Sequence, residues 1–260
     1  MTAFAIPGLR ACRIDRDWFA RHPEWWMLAA SAAAWLALIL SRQAAPLVPL
    51  CTVSGVEPAS FSAFGPPLSP RLAAHFGEWC LMTAAMMPPL VVLPVRHVAF
   101  RSFRDRRHRA IAEFLAGYLA VWIVAGAVLL PLLVGAGSLA ASGRALIAAA
   151  GYALAAAWQL TGCKRAALQR CHRTVPLAAE GWRADIACAR YGLGAGGSCL
   201  ASCWAFMTVA MLGWHALPAM AFLEAAALRE RYRPWARRRI RSSIPLLGAA
   251  FVLDLSGIMA

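Results

Sequence analysis

Charge is scarce in this chain, and acid is scarcer than base. Only 15% of the 260 residues are charged, with 12 Asp and Glu against 26 Lys and Arg. A soluble domain carries about 25% charged residues, and about half of it is apolar. Here 61% of residues are apolar. The interior of a water-soluble fold of this length cannot absorb that excess, so the surplus must face lipid. No polar, basic domain stands apart from the apolar runs, so the formal net charge of +14 does not point to nucleic acid. Paired C-x2-C spacing of the zinc-finger type is missing. So is any nucleophile and base at a spacing that would make an enzyme. No internal repeat is evident. The chain is not a short polar disulfide scaffold either. Its eight cysteines are therefore expected as thiols or metal ligands, six of them on the cytoplasmic half.

What is present is a series of long apolar runs. They predict helices near 25–42, 74–95, 110–135, 144–162, 194–213, 215–230 and 243–259. Pro88, Pro89 and Pro94 interrupt the second. As one helix, Leu193 to Leu228 would be about 54 Å long, against about 30 Å of hydrocarbon, so it must turn back. Gly213 and Pro218 flank the expected bend. Lys and Arg alternate between the connections. Segments on one side hold 23 of the 26, and those on the other hold three. Seven spans with a cytoplasmic amino terminus satisfy the positive-inside rule throughout, and the net charge needs no anionic partner beyond the lipid bilayer. The fold class expected is an all-α membrane protein, a polytopic bundle of about seven transmembrane helices. Residues 1–24 form a cytoplasmic tail and 25–260 a single transmembrane domain. The outer segment Gln43 to Pro70, rich in Pro, Ser and Gly, is expected as an irregular cap.

Sulfur is concentrated in two of these helices. Cys199, Cys203, Met207 and Met211 follow one another at intervals of four, which places them on one slowly drifting stripe. Cys199 and Cys203 can reach a single ion, and thiolates and thioethers favour Cu(I), with thiolates also suiting zinc. The same residues serve as ordinary packing groups in apolar helices. The second helix carries Cys80, Met82, Met86 and Met87 just before Pro88. Met82 and Met86 share a face, and proline frees carbonyls one turn back. Cys163 and Cys171 lie eight apart, about two turns, so with Cys199 and Cys203 four thiols can converge on one site.

Intramembrane acids are costly and need partners. Glu224 and Asp254 are read either as a proton or cation relay or as ion pairs, Glu224 with Arg229. Glu78 and Glu113, near helix ends, are read as ion pairs with interfacial arginines. His22, His75, His97, His108, His172 and His215 fall at or beyond helix ends, so no haem is expected. Gly192, Gly194 and Gly197 fit G-x-G-x-x-G, but a membrane helix follows and no strand precedes, so no nucleotide is expected. Those glycines are read as permitting close helix approach or a turn into the fifth helix.

Several of these residues resemble the motifs of one bacterial family. They are Trp79-x-x-Met82 with Ala85-Met86-Met87 and a proline; Gly117-Tyr118 with Trp122; Gln159-Leu160-Thr161 with Lys164 and Cys171; and Gly197 with Cys199, Cys203-Trp204 and Met207. The resemblance spans roughly residues 75–231. It is to a family of unknown function described as predicted metal-binding integral membrane proteins. The pattern departs at Gly162, where proline is expected, at Ala167, where cysteine is expected with Cys163 four residues earlier, and at His215, where methionine is expected. The resemblance implies a metal site and carries over Cys171, Cys199, Cys203, Met82, Met86 and Met207. The expectation is a multi-pass protein of the bacterial inner membrane, not an enzyme, that binds or translocates a soft metal, copper(I) ahead of zinc. Cys199 and Cys203 are then inner ligands with Cys171 nearby, and the methionines form a thioether path to the outer face. A metal-delivery protein or a membrane complex is the expected partner. The rival is a non-metal permease or a scaffold subunit.

Overall fold

The computed structural model describes residues 16–44, 70–139, 144–178, 180–212, 217–232 and 243–259. Outside these lie residues 45–69, most of the expected outer cap. So do the turn at 213–216 with Gly213 and His215, the arginine run at 233–242, Cys12 and Cys51, and the side chain of Asp254. Every regular element among the described residues is helical. In order they are α1 (Arg16–Arg21), α2 (Trp25–Ala44), α3 (Pro70–Met86), α4 (Val92–Arg101), α5 (Arg107–Leu139), α6 (Arg144–Leu160), α7 (Gly162–Cys171), α8 (Gly181–Leu212), α9 (Leu217–Tyr232) and α10 (Ile244–Met259). Short 3-10 turns, Pro88–Val91 and Arg104–Arg106, join α3 to α4 and lead into α5.

The second apolar run breaks where its prolines lie. Pro88 and Pro89 have no N–H to continue the ladder of α3, and the chain bends by 44° between Leu72–Met86 and Pro88–Arg101. A sharper bend of 71° separates Leu146–Leu160 from Gly162–Cys171. Thr161 stops α6 and caps α7, its Oγ1 accepting from the Lys164 backbone N–H at 3.2 Å. Two helices, within Arg104–Leu133 and Gly181–Met211, are long and apolar enough to cross a membrane, or four if each bent pair is one span. Trp25–Ser41 and Ile244–Leu253 are shorter apolar helices.

α5 and α8 share the largest interface and frame the core. Glycine sets their spacing. A Cβ on Gly192 would strike the Phe114 carbonyl, and one on Gly117 the Ala189 carbonyl. Of the three glycines read from the sequence, only Gly192 serves this close approach; nothing lies within 4 Å of a Cβ at Gly194 or Gly197. The turn into α8 is made instead by Gly181, whose φ of 75° suits a residue without a Cβ. α8 thus begins well before 194. The charges that mark a loop in the sequence lie on its first turns, where Asp185 pairs with Arg106 and, at 2.6 Å, with Arg109.

α3 closes on α5 through tryptophan. Trp79 Nε1 donates to the Trp122 carbonyl at 2.8 Å, and its indole occupies the space a side chain at Gly126 would need. α2 is fixed at one end by Glu24, which pairs with Arg96 at 2.6 Å, and along its length by Ser31, which donates to the Ala85 carbonyl. α9 and α10 pack together, and α10 also meets α6.

Candidate metal centre

The sulfur stripe on α8 faces inward along its whole length. Cys199, Cys203, Met207 and Met211 are all at most 5% exposed. Opposite them, α7 buries Lys164, Ala167 and Cys171, spaced three and four apart as one helix face requires. Cys163 lies on the other side of α7 and is exposed. The physical reason is angular: eight residues at about 100° each leave a residual offset of about 80°. Cys163 therefore drops out of the expected four-thiol convergence and does not take the place of the cysteine absent at Ala167. His172 is exposed while Cys171 beside it is buried, so the two do not face one site.

Two thiols, those of Cys171 and Cys203, lie beside one hydroxyl, which is anchored on the Cys199 backbone. Ser202 Oγ donates to the Cys199 carbonyl at 2.9 Å and lies 3.4 Å from Cys203 Sγ and 4.0 Å from Cys171 Sγ. The Cys199 and Cys203 thiols are within hydrogen-bonding reach of each other. From α5, the buried Tyr118 hydroxyl donates to Cys199 Sγ at 3.0 Å. Gly117 and Gly192 bring the α5 and α8 backbones close enough for that bond. Among the described residues no group of three or more His, Cys, Asp or Glu is arranged to hold a metal ion. The thiols are neighbours rather than a finished three-ligand cage.

The charged residues buried beside these thiols come from α7 and α9. Lys164, the only lysine in the chain, is fully buried and lies 2.8 Å from Glu230 Oε2. The contact lies off the line of a hydrogen bond, so it counts as an ion pair with its hydrogen-bonding capacity unused. Lys164 Nζ also lies 4.3 Å from the centre of the Phe206 ring. Arg231, 4% exposed, interacts electrostatically with all three thiols and Tyr118. Sequence reasoning missed Arg231 because it entered there only as one of seven basic residues in a loop. Its position beside Glu230, a buried acid one residue away, was the available signal.

Met82, Met86 and Met207 are each at most 2% exposed, in the apolar core around the thiols. Glu224 accepts from Trp35 Nε1 at 3.0 Å, not from Arg229, and borders a groove of about 340 Å³ between α2 and α9. Glu78 pairs with His75 at 3.3 Å. Glu113 does pair with arginines, Arg106 at 3.4 Å and Arg109 at 2.9 Å.

A family model described as PpoB2, copper chaperone, matches residues 76–253, and the chain belongs to that family. This fits the metal-related bacterial family that the sequence resembles. The family description names copper and not zinc. No curated protein and no solved structure matches the chain.

Proposed function

We propose that this member of the copper chaperone family is a multi-pass protein of the bacterial inner membrane that takes copper(I) as cargo and passes it across or along the bilayer. Cys199 and Cys203 are the inner ligands, with Cys171 beside them. Met82, Met86 and Met207 form a thioether path toward the outer face, where binding without loss of a proton suits weak relay sites. The observation that carries the reading is that the buried thiols Cys171 and Cys203, on two facing helices, both lie beside the Ser202 hydroxyl, with buried Cys199 one turn from Cys203 on the same face. Soft sulfur donors in an otherwise apolar core suit a soft monovalent cation.

The membrane reading rests on length and charge. α5 has 33 residues and α8 has 32, about 48–50 Å each at ~1.5 Å per residue, against ~30 Å of hydrocarbon. The excess belongs to their charged first turns, where Arg106, Arg109, Glu113 and Asp185 form one network at the cytoplasmic boundary. Seven spans with the amino terminus inside place 23 of the 26 basic residues in the cytoplasm. Copper then enters from, or leaves to, a soluble metal-delivery protein or a membrane complex.

Elemental analysis of the detergent-purified protein tests the reading, with Cys199→Ser and Cys203→Ser beside the parent. Copper in the parent and its loss in either variant support it. A parent without metal, and variants that take up added Cu(I) as well as the parent does, refute it.

A further inference from the structure

Arg231 lies near the carboxyl end of α9, almost fully buried, within electrostatic range of Cys171, Cys199, Cys203 and Tyr118. Cys171 is within its hydrogen-bonding reach, yet its Nη2 has no partner. The adjacent carboxylate, Glu230, is committed to Lys164 at 2.8 Å. Two buried cations and one buried carboxylate therefore border thiols that are neutral when protonated. Among the described residues one positive charge is left over, and a buried charge without a counter-charge is unfavourable. The pocket calls for a guest of net charge −1.

A cuprous ion on two thiolates has that charge. We propose that Arg231 is the counter-charge of a two-coordinate copper(I) complex on Cys199 and Cys203; this rests on the copper reading above. On binding, two S–H bonds are lost, two Cu–S bonds form, both protons pass to solvent and copper remains Cu(I). Cys171 stays a thiol beside the complex, held by Arg231 and 4.0 Å from Ser202. The Tyr118 hydroxyl, already donating to Cys199 Sγ at 3.0 Å, strengthens its bond when that sulfur is anionic. The same arithmetic makes the pocket selective. A divalent ion on two thiolates is neutral and leaves Arg231 uncompensated. Cu(I) on three thiolates carries −2, more than one cation neutralises. Arg231 is thus a positioning and charge-balancing residue, not a ligand.

The test is an anaerobic Cu(I) competition against a chromophoric chelator, using the full chain in detergent. The parent is compared with Arg231→Met and Arg231→Lys. Affinity falls by about tenfold or more in the methionine variant and stays within about threefold in the lysine variant. X-ray absorption of the copper-loaded parent shows two sulfur neighbours. An unchanged affinity in Arg231→Met, a loss in Arg231→Lys as large as in Arg231→Met, or three sulfurs in the parent overturns this inference alone. If Arg231→Met does not survive purification, the lysine variant and the parent's sulfur count decide. A parent that takes no copper removes the copper reading and this inference together.

Discussion

Lys164 and Glu230 form a pair whose side chains are each only 1% exposed. Neither can lose its partner cheaply, because the one left behind becomes an uncompensated buried charge. Lys164→Met should therefore destabilise the protein by about 3–5 kcal/mol, while replacing both residues with apolar ones costs far less. Thermal unfolding in detergent measures both; a single variant as stable as the parent would show that the pair carries no such strain. Glu24 gives a prediction of a different kind. Burial opposes its ionisation, but hydrogen bonds from Arg96, its own backbone and His22, with the Arg96 charge, outweigh burial and hold the carboxyl below its ordinary value of 4.5. A carboxyl so depressed contributes stability that is present above its ordinary value and lost as pH falls through the folded value. Stability should fall on acidification below about pH 4.5, and Glu24→Gln should make that fall shallower. An identical acid limb in the two proteins would contradict the assignment. At this scale the cysteine pair was legible, because an interval of four on a helix needs no tertiary information. Cys163 was misplaced because "about two turns" hides an 80° offset. Arg231 was hidden because charge counting assigns an arginine to a side of the membrane, not to a partner.

The helices themselves were largely readable from the apolar runs, and the differences have physical causes. α8 starts at Gly181 because Asp185 finds Arg106, in the turn before α5, and Arg109 on α5, so a charged stretch that reads as loop is stabilised as helix by its neighbour. α7 reads as connecting segment because its composition is polar, yet Thr161 caps it and one face is buried. The contact of α5 with α8 positions Tyr118 over Cys199, and glycine permits it. Gly192→Ala puts a methyl group against the Phe114 carbonyl and should cost about 1–3 kcal/mol as the helices move apart. Gly194→Ala, two residues on and facing open space, should gain about 0.5–1 kcal/mol from helix propensity. Equal unfolding midpoints for the two variants would remove the close-packing account of this interface.

For the whole molecule, the arrangement places one buried, sulfur-rich and cationic cluster inside a helical core whose two longest helices are long and apolar enough to cross a membrane. The positive-inside pattern makes the proposed topology testable segment by segment. A cytoplasmic reporter should be active when fused after Ser102 or after Val175, and an external reporter when fused after Ala260. Cytoplasmic activity behind Ala260 would require a different number of spans. The all-helical class was legible because the long apolar runs leave room for no other regular element. The pocket was not, because it depends on a 71° bend at Thr161 that turns α7 back against α8.

The central claim, that Cys199 and Cys203 hold copper(I) in this pocket, is tested most directly by retention under competition. The full chain in detergent is loaded with Cu(I) and challenged with excess chelator, beside the Cys199→Ser, Cys203→Ser double variant. The account predicts about one copper kept per parent chain and essentially none by the double variant. Equal retention by both, or retention by neither, would contradict it.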